Sequence, residues 1–132
     1  GTASSLAADR RDAYWSGAAQ FKESVAGALS RCGASFTSDS PDANLPSILS
    51  VLVPGVDAEA LVIACRDLVG ISVGSACSSE KVGMSHVLQA MGFTDREAAS
   101  VVRLSWMLGA DEADWRAWAE RITAIRPAGS QP

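Results

Sequence analysis

The sequence predicts an α/β domain, a small three-stranded sheet with helices layered on it. Three observations predict this. Long apolar stripes at three- and four-residue spacing, the signature of helices, alternate with short apolar runs of strand length around residues 47–53, 71–73 and 101–106. Glycine, proline and capping residues separate these segments. Over 132 residues, 48% are hydrophobic and 20% charged, which suits one globular domain with a real core and excludes a disordered chain.

Taken in order, residues 6–32 read as one helix. Tyr14, Ala18, Phe21, Val25, Ala28, Leu29 and Cys32 form its apolar stripe, and Gly33 supplies a left-handed stop. Residues 34–44, rich in Ser, Asp and Pro, read as a polar surface connector. The near-continuous apolar run 47–53 predicts a strand covered on both faces, turned by Pro54-Gly55. Asp57 then caps a helix that buries Leu61, Ala64, Cys65 and Leu68 and ends at Gly70. A short strand at 71–73 leads into a loop around Cys77. Ser85 is positioned to cap a helix burying Val87, Leu88 and Met91 and closed by Gly92. Thr94-Asp95-Arg96-Glu97 spells a capping box for another short helix. Residues 101–106 follow as a strand with Val102, Leu104 and Trp106 on one face and Val101, Arg103 and Ser105 on the other. Asp111 caps a last helix that buries Trp115, Trp118, Ala119, Ile122 and Ile125 and stops at Pro127.

The bulk chemistry excludes several functions. A net charge of −4 with scattered arginines gives no nucleic-acid surface. No apolar run approaches the ~20 residues that cross a bilayer. Cys32, Cys65 and Cys77 are irregularly spaced, so they form no disulfide framework, and with His86 they lack metal-ligand spacing. A reducing, cytoplasmic setting is expected. The chain opens on Gly1, which fits a piece of a longer polypeptide.

Two residues carry candidate chemistry. Cys77 lies in Gly74-Ser75-Ala76-Cys77-Ser78-Ser79, among small residues and hydroxyls that give a thiolate access and hydrogen bonds. A buried apolar filler is the alternative. Arg103 sits inside an otherwise apolar strand, where burial demands an anionic partner. That partner is an internal acid or a substrate carboxylate, unless the strand is an edge facing water; the guanidinium fork matches a carboxylate bidentately.

The order and spacing of these motifs resemble the C-terminal small domain of the cysteine desulfurases, pyridoxal-phosphate enzymes of the class V aminotransferase group. The similar segments are Leu45-Pro46 with Leu49-Ser50-Val51, then Pro54-Gly55-Val56-Asp57-Ala58-Glu59-Ala60-Leu61. They continue in the Cys77 segment, which resembles the subgroup with the long cysteine loop, in Ser85-His86-Val87-Leu88-Gln89-Ala90-Met91-Gly92, and in Val102-Arg103-Leu104-Ser105. Val73 and Ser47 depart from the family pattern, as do Gly83-Met84 and Met107-Leu108.

The resemblance implies a small domain of a fold-type I transferase over residues 1–132, with the large cofactor domain outside this chain. It implies that Cys77 takes sulfur from L-cysteine as a persulfide, releasing L-alanine, and hands it to an acceptor protein, with Gly74, Ser75, Ser78 and Ser79 supporting the loop. It assigns Arg103 to the substrate carboxylate. It also implies a homodimer, and a role for Thr2, after Gly1, at the cofactor phosphate, although Ala3-Ser4 do not continue that motif. Lys22 and Lys81, the lysines of the chain, lack the context of a Schiff-base lysine, so this chain alone is not expected to bind pyridoxal phosphate or to be active. The destinations such chemistry serves include iron–sulfur assembly. Other readings are a stand-alone persulfide carrier and a related lyase such as selenocysteine lyase.

Overall fold

The computed structural model describes residues 1–38, 45–74, 85–106 and 115–127. Helix α1 (Thr2–Ser30) comes first, followed by strand β1 (Ser35–Phe36) and strand β2 (Ile48–Leu52). Helix α2 (Ala58–Cys65) and strand β3 (Ile71–Val73) come next. The short helices α3 (His86–Ala90) and α4 (Asp95–Ala98) precede strand β4 (Val101–Ser105), and α5 (Trp115–Ile125) closes the order. The strands form one four-stranded antiparallel sheet in the order β1-β2-β4-β3. Because β2 and β3 both run antiparallel to β4, they are parallel to each other, and α2 is the crossover of a βαβ unit split by β4.

Local chemistry explains the element boundaries. Gly33, at φ 69°, ends α1, and the Ala34 amide reaches back to the Leu29 carbonyl at 3.3 Å. Pro54 and Gly55 (φ 75°) are the central pair of a tight turn closed by Val56 N–H to the Val53 carbonyl, a geometry that favours glycine at its second central position. Asp57 Oδ1 accepts the Ala60 amide at 3.0 Å and caps α2. Thr94 and Glu97 form the capping box reciprocally around α4.

The core lies on one face of the sheet. Leu49 and Val51 of β2 and Val102 and Leu104 of β4 point into it, against Val25 and Leu29 of α1, Leu61 and Cys65 of α2, and Trp118 and Ile122 of α5. Trp106, just past β4, stacks at a tilt on Phe21 (centroids 5.4 Å apart) and donates its indole N–H to the Ala18 carbonyl. That tie seats α1 across the end of the sheet. At the other side of the layer, Arg121 of α5 bonds both carboxylate oxygens of Asp67 and the Ala64 carbonyl at the end of α2.

The structure corrects five expectations. The sheet has four strands, because Ser35–Phe36, expected in a surface connector, pair with Leu52 and Val51 and pack Phe36 on the core. Strand β2 is fully covered on one face only: Leu49 and Val51 are buried while Ile48, Ser50 and Leu52 are half-buried. Helix α2 stops at Cys65, and turns occupy the residues before Gly70. In α3 only Leu88 is buried, with Val87 53% and Met91 47% exposed, and the Ser85 side chain makes no capping hydrogen bond. Helix α1 starts at Thr2 rather than near Leu6, and its first three turns lie in the open.

Leu61 is wholly buried where α2 meets the sheet, so Leu61→Ala is expected to cost about 2–5 kcal/mol, read as a lower urea midpoint at unchanged slope. The Arg121 guanidinium holds the Asp67 carboxyl below the usual aspartate range. A depressed carboxylate contributes stability that is present above its unfolded value and fades as pH falls through its folded one. Asp67→Asn should therefore lower the melting midpoint at neutral pH, and the gap from wild type should close in acid, below the ordinary aspartate value of about 3.9.

Candidate functional site

Arg103 stands in the middle of β4, which is hydrogen-bonded on both sides, so it does not lie on a sheet edge. Alternation sends its neighbours Val102 and Leu104 into the core and turns Arg103 to the opposite face, where it is half-buried. Among the described residues no carboxylate forms an ion pair with it. The register sets Ser50 of β2 and Ser72 of β3 directly opposite Arg103, one on each side. Directly opposed residues share a face, so the three make a Ser–Arg–Ser row across the sheet. Neither serine was singled out from the sequence. The signal is a cross-strand register, which no local pattern carries.

Gly74 follows β3, and its amide donates to the Val101 carbonyl at 3.3 Å, two residues before Arg103. A side chain on Gly74 would meet Val101 at ordinary contact distance. Ser75, Cys77, Ser78 and Ser79 lie outside the described residues. Chain length still bounds the distance: Cys77 follows Gly74 by three positions, and three residues span at most ~10 Å. His86 opens α3 and is exposed.

Cys32 and Cys65 are free thiols of another kind. Burial pushes the Cys65 thiol up, against the opposing charge of Arg121, and its side chain sits wholly in the core. Burial likewise raises Cys32 despite Arg31 and Arg126, and its thiol points at the Ala28 carbonyl, 3.6 Å away. Both are held as neutral thiols, poor nucleophiles at neutral pH. Thr2 begins α1 and is exposed. Among the described residues no three metal-ligating side chains gather, and no helix is long and apolar enough to cross a membrane.

This sheet topology, with its long first helix, is a NifS-like fold. A solved NifS-like protein from Rickettsia africae aligns over 94% of this chain and 32% of its own, with TM-score 0.74 and 25% identity. A second NifS-like structure shares the fold at TM-score 0.67 and 21% identity over 91% of this chain and 30% of its own. In sequence the chain is related to the cysteine desulfurases. It is 35% identical over 95 residues to cysteine desulfurase IscS of Serratia proteamaculans, covering 72% of this chain and 20% of that protein. It is 39% identical over 80 residues to a cysteine desulfurase of Sinorhizobium fredii, covering 60% and 21%. No family model matches the chain. The chain thus spans about a fifth of the length of these curated relatives.

Proposed function

We propose that residues 1–132 are the C-terminal small domain of a pyridoxal-phosphate-dependent cysteine desulfurase, with Cys77 as sulfur acceptor and Arg103 as receptor for the carboxylate of L-cysteine. The observation that carries this reading is the half-buried guanidinium of Arg103 on the face of the sheet away from the core, without a described acid to pair with it. The leash from Gly74 adds support, because it keeps Cys77 within reach of that face. The likeness to cysteine desulfurases supplies the reaction class.

The residues of this chain do not fit a pyridoxal phosphate site by themselves. Lys22 is in the middle of α1, Thr2 is exposed at its start with no side-chain contact fixing it, and Lys81 lies outside the described residues. The cofactor belongs to the large domain, where it would serve as electron sink for the substrate carbon. What this chain contributes is separate. Arg103 holds the carboxylate in a two-point grip and so fixes where the substrate thiol points. The Cys77 thiolate attacks that sulfur; a sulfur–sulfur bond forms and the carbon–sulfur bond breaks. The bonding pair stays with carbon, which takes a proton and leaves as alanine, while Cys77 keeps the outer sulfur as a persulfide for an acceptor protein. Gly74, Ser75, Ser78 and Ser79 would serve the loop that carries it. A homodimer and a reducing, cytoplasmic setting complete the reading, the latter supported by the free thiols of Cys32 and Cys65.

In the full-length protein, Cys77→Ala should lower alanine and sulfide release from cysteine by orders of magnitude while leaving cofactor absorbance intact. Full activity in that variant would defeat the assignment. Arg103→Ala removes a charge-assisted pair, so KM for cysteine should rise about ten- to a hundredfold in steady-state kinetics with cofactor content unchanged. An unchanged KM would count against the carboxylate role.

A further inference from the structure

We propose that Ser50 and Ser72 are positioning residues, whose hydroxyls flank the Arg103 guanidinium and hold its fork square to an incoming carboxylate. The inference rests on the reading of Arg103 as carboxylate receptor and adds what aims it.

Three observations lead here. The first is register: Ser50 and Ser72 are the direct cross-strand partners of Arg103, so all three side chains leave the sheet at one level and on one face. The second concerns bonding. Both serines are half-buried, yet neither hydroxyl bonds a side chain or backbone group among the described residues. The third is composition. Serine packs poorly in a strand interior compared with the β-branched residues that fill this sheet elsewhere, at Val51, Val73, Val101 and Val102. On the same face, the pair next along the strands toward the start of β4 is Leu52 and Val101, the latter fully buried. Small hydroxyls thus stand only where the row crosses Arg103, and apolar bulk resumes beside it.

The chemistry follows from donor counts. A guanidinium carries five N–H donors, and a carboxylate gripped end-on uses two. The remaining donors point sideways along the sheet, toward β2 and β3. A serine oxygen on each side accepts from them, so the fork cannot roll about its stem. A valine at either position would offer no acceptor and would crowd the stem instead.

The test uses the full-length protein in three forms: wild type, S50A/S72A and S50T/S72T, with the single alanine variants as checks on folding. Calorimetric affinities for L-alanine and for ethylamine, which lacks only the carboxylate, are measured beside kcat and KM for cysteine. The expected result is that S50A/S72A binds L-alanine about three- to tenfold more weakly and ethylamine as wild type does. Its KM rises by the same factor at nearly constant kcat, and the threonine variant, which keeps both hydroxyls, recovers most of the loss. Unchanged L-alanine affinity in S50A/S72A overturns the inference, as does a threonine variant no better than the alanine one. Arg103→Ala in the same titration separates the two claims. If it alone loses L-alanine affinity, the receptor stands and the serine row falls. If it too binds L-alanine as wild type does, the carboxylate reading falls and takes the row with it.

Discussion

The two-sided pairing of β4 is the constraint on which the rest of the molecule depends. Five residue pairs join it to β2 and three to β3. Backbone bonds beyond the strand ends, from Val53 to Ser100 and from Ser105 to Gly70, extend the same registers. A shift by one residue would turn Val102 and Leu104 out of the core and push the Arg103 guanidinium in among Leu29, Leu61 and Trp118. Burying an unpaired charge there costs several kcal/mol. Hydrophobic pattern and charge therefore enforce one register, and that register delivers Arg103 to the other face.

The sheet divides its labour by face. The side covered by α1, α2 and α5 holds the large buried side chains, and Cys65 among them is spent on packing. The opposite side carries the Ser–Arg–Ser row, and the chain leaves β3 for the Cys77 loop beside it. The split βαβ arrangement makes this possible. It places β3, with the loop that follows it, next to β4 rather than next to β2, although β2 precedes it in the chain. Helix α2 is held in its crossover position by the Asp57 cap at one end and by Arg121 of α5 at the other.

Much of this was legible residue by residue. Asp57, the Thr94–Glu97 pair, Gly33 and Pro54-Gly55 act within a few positions of themselves, and each does in the structure what its spacing predicts. The apolar stripe of α1 was read as a single face, yet only its C-terminal half, from Ala18 to Leu29, finds a core, while Leu6 and Trp15 are exposed. Val87 and Met91 misled for a similar reason: apolar character marks a residue that can be buried, not what is there to bury it. Two residues such as Ser35 and Phe36 show no period at all, so β1 existed only once β2 was there to pair with it.

Sequence alone was enough for the class of fold, the helix caps, the inward face of β4 and the oddity of a guanidinium among valines and leucines. It also marked Cys77 as a thiol unlike Cys32 and Cys65. Whether Arg103 meets an internal acid, the solvent at a sheet edge or an open face flanked by two hydroxyls was decided by tertiary structure. Caps and turns are short-range bonds between near neighbours in the chain. The partners of Arg103 come from strands 31 and 53 positions upstream, at Ser72 and Ser50, and only the closing of the sheet sets them side by side.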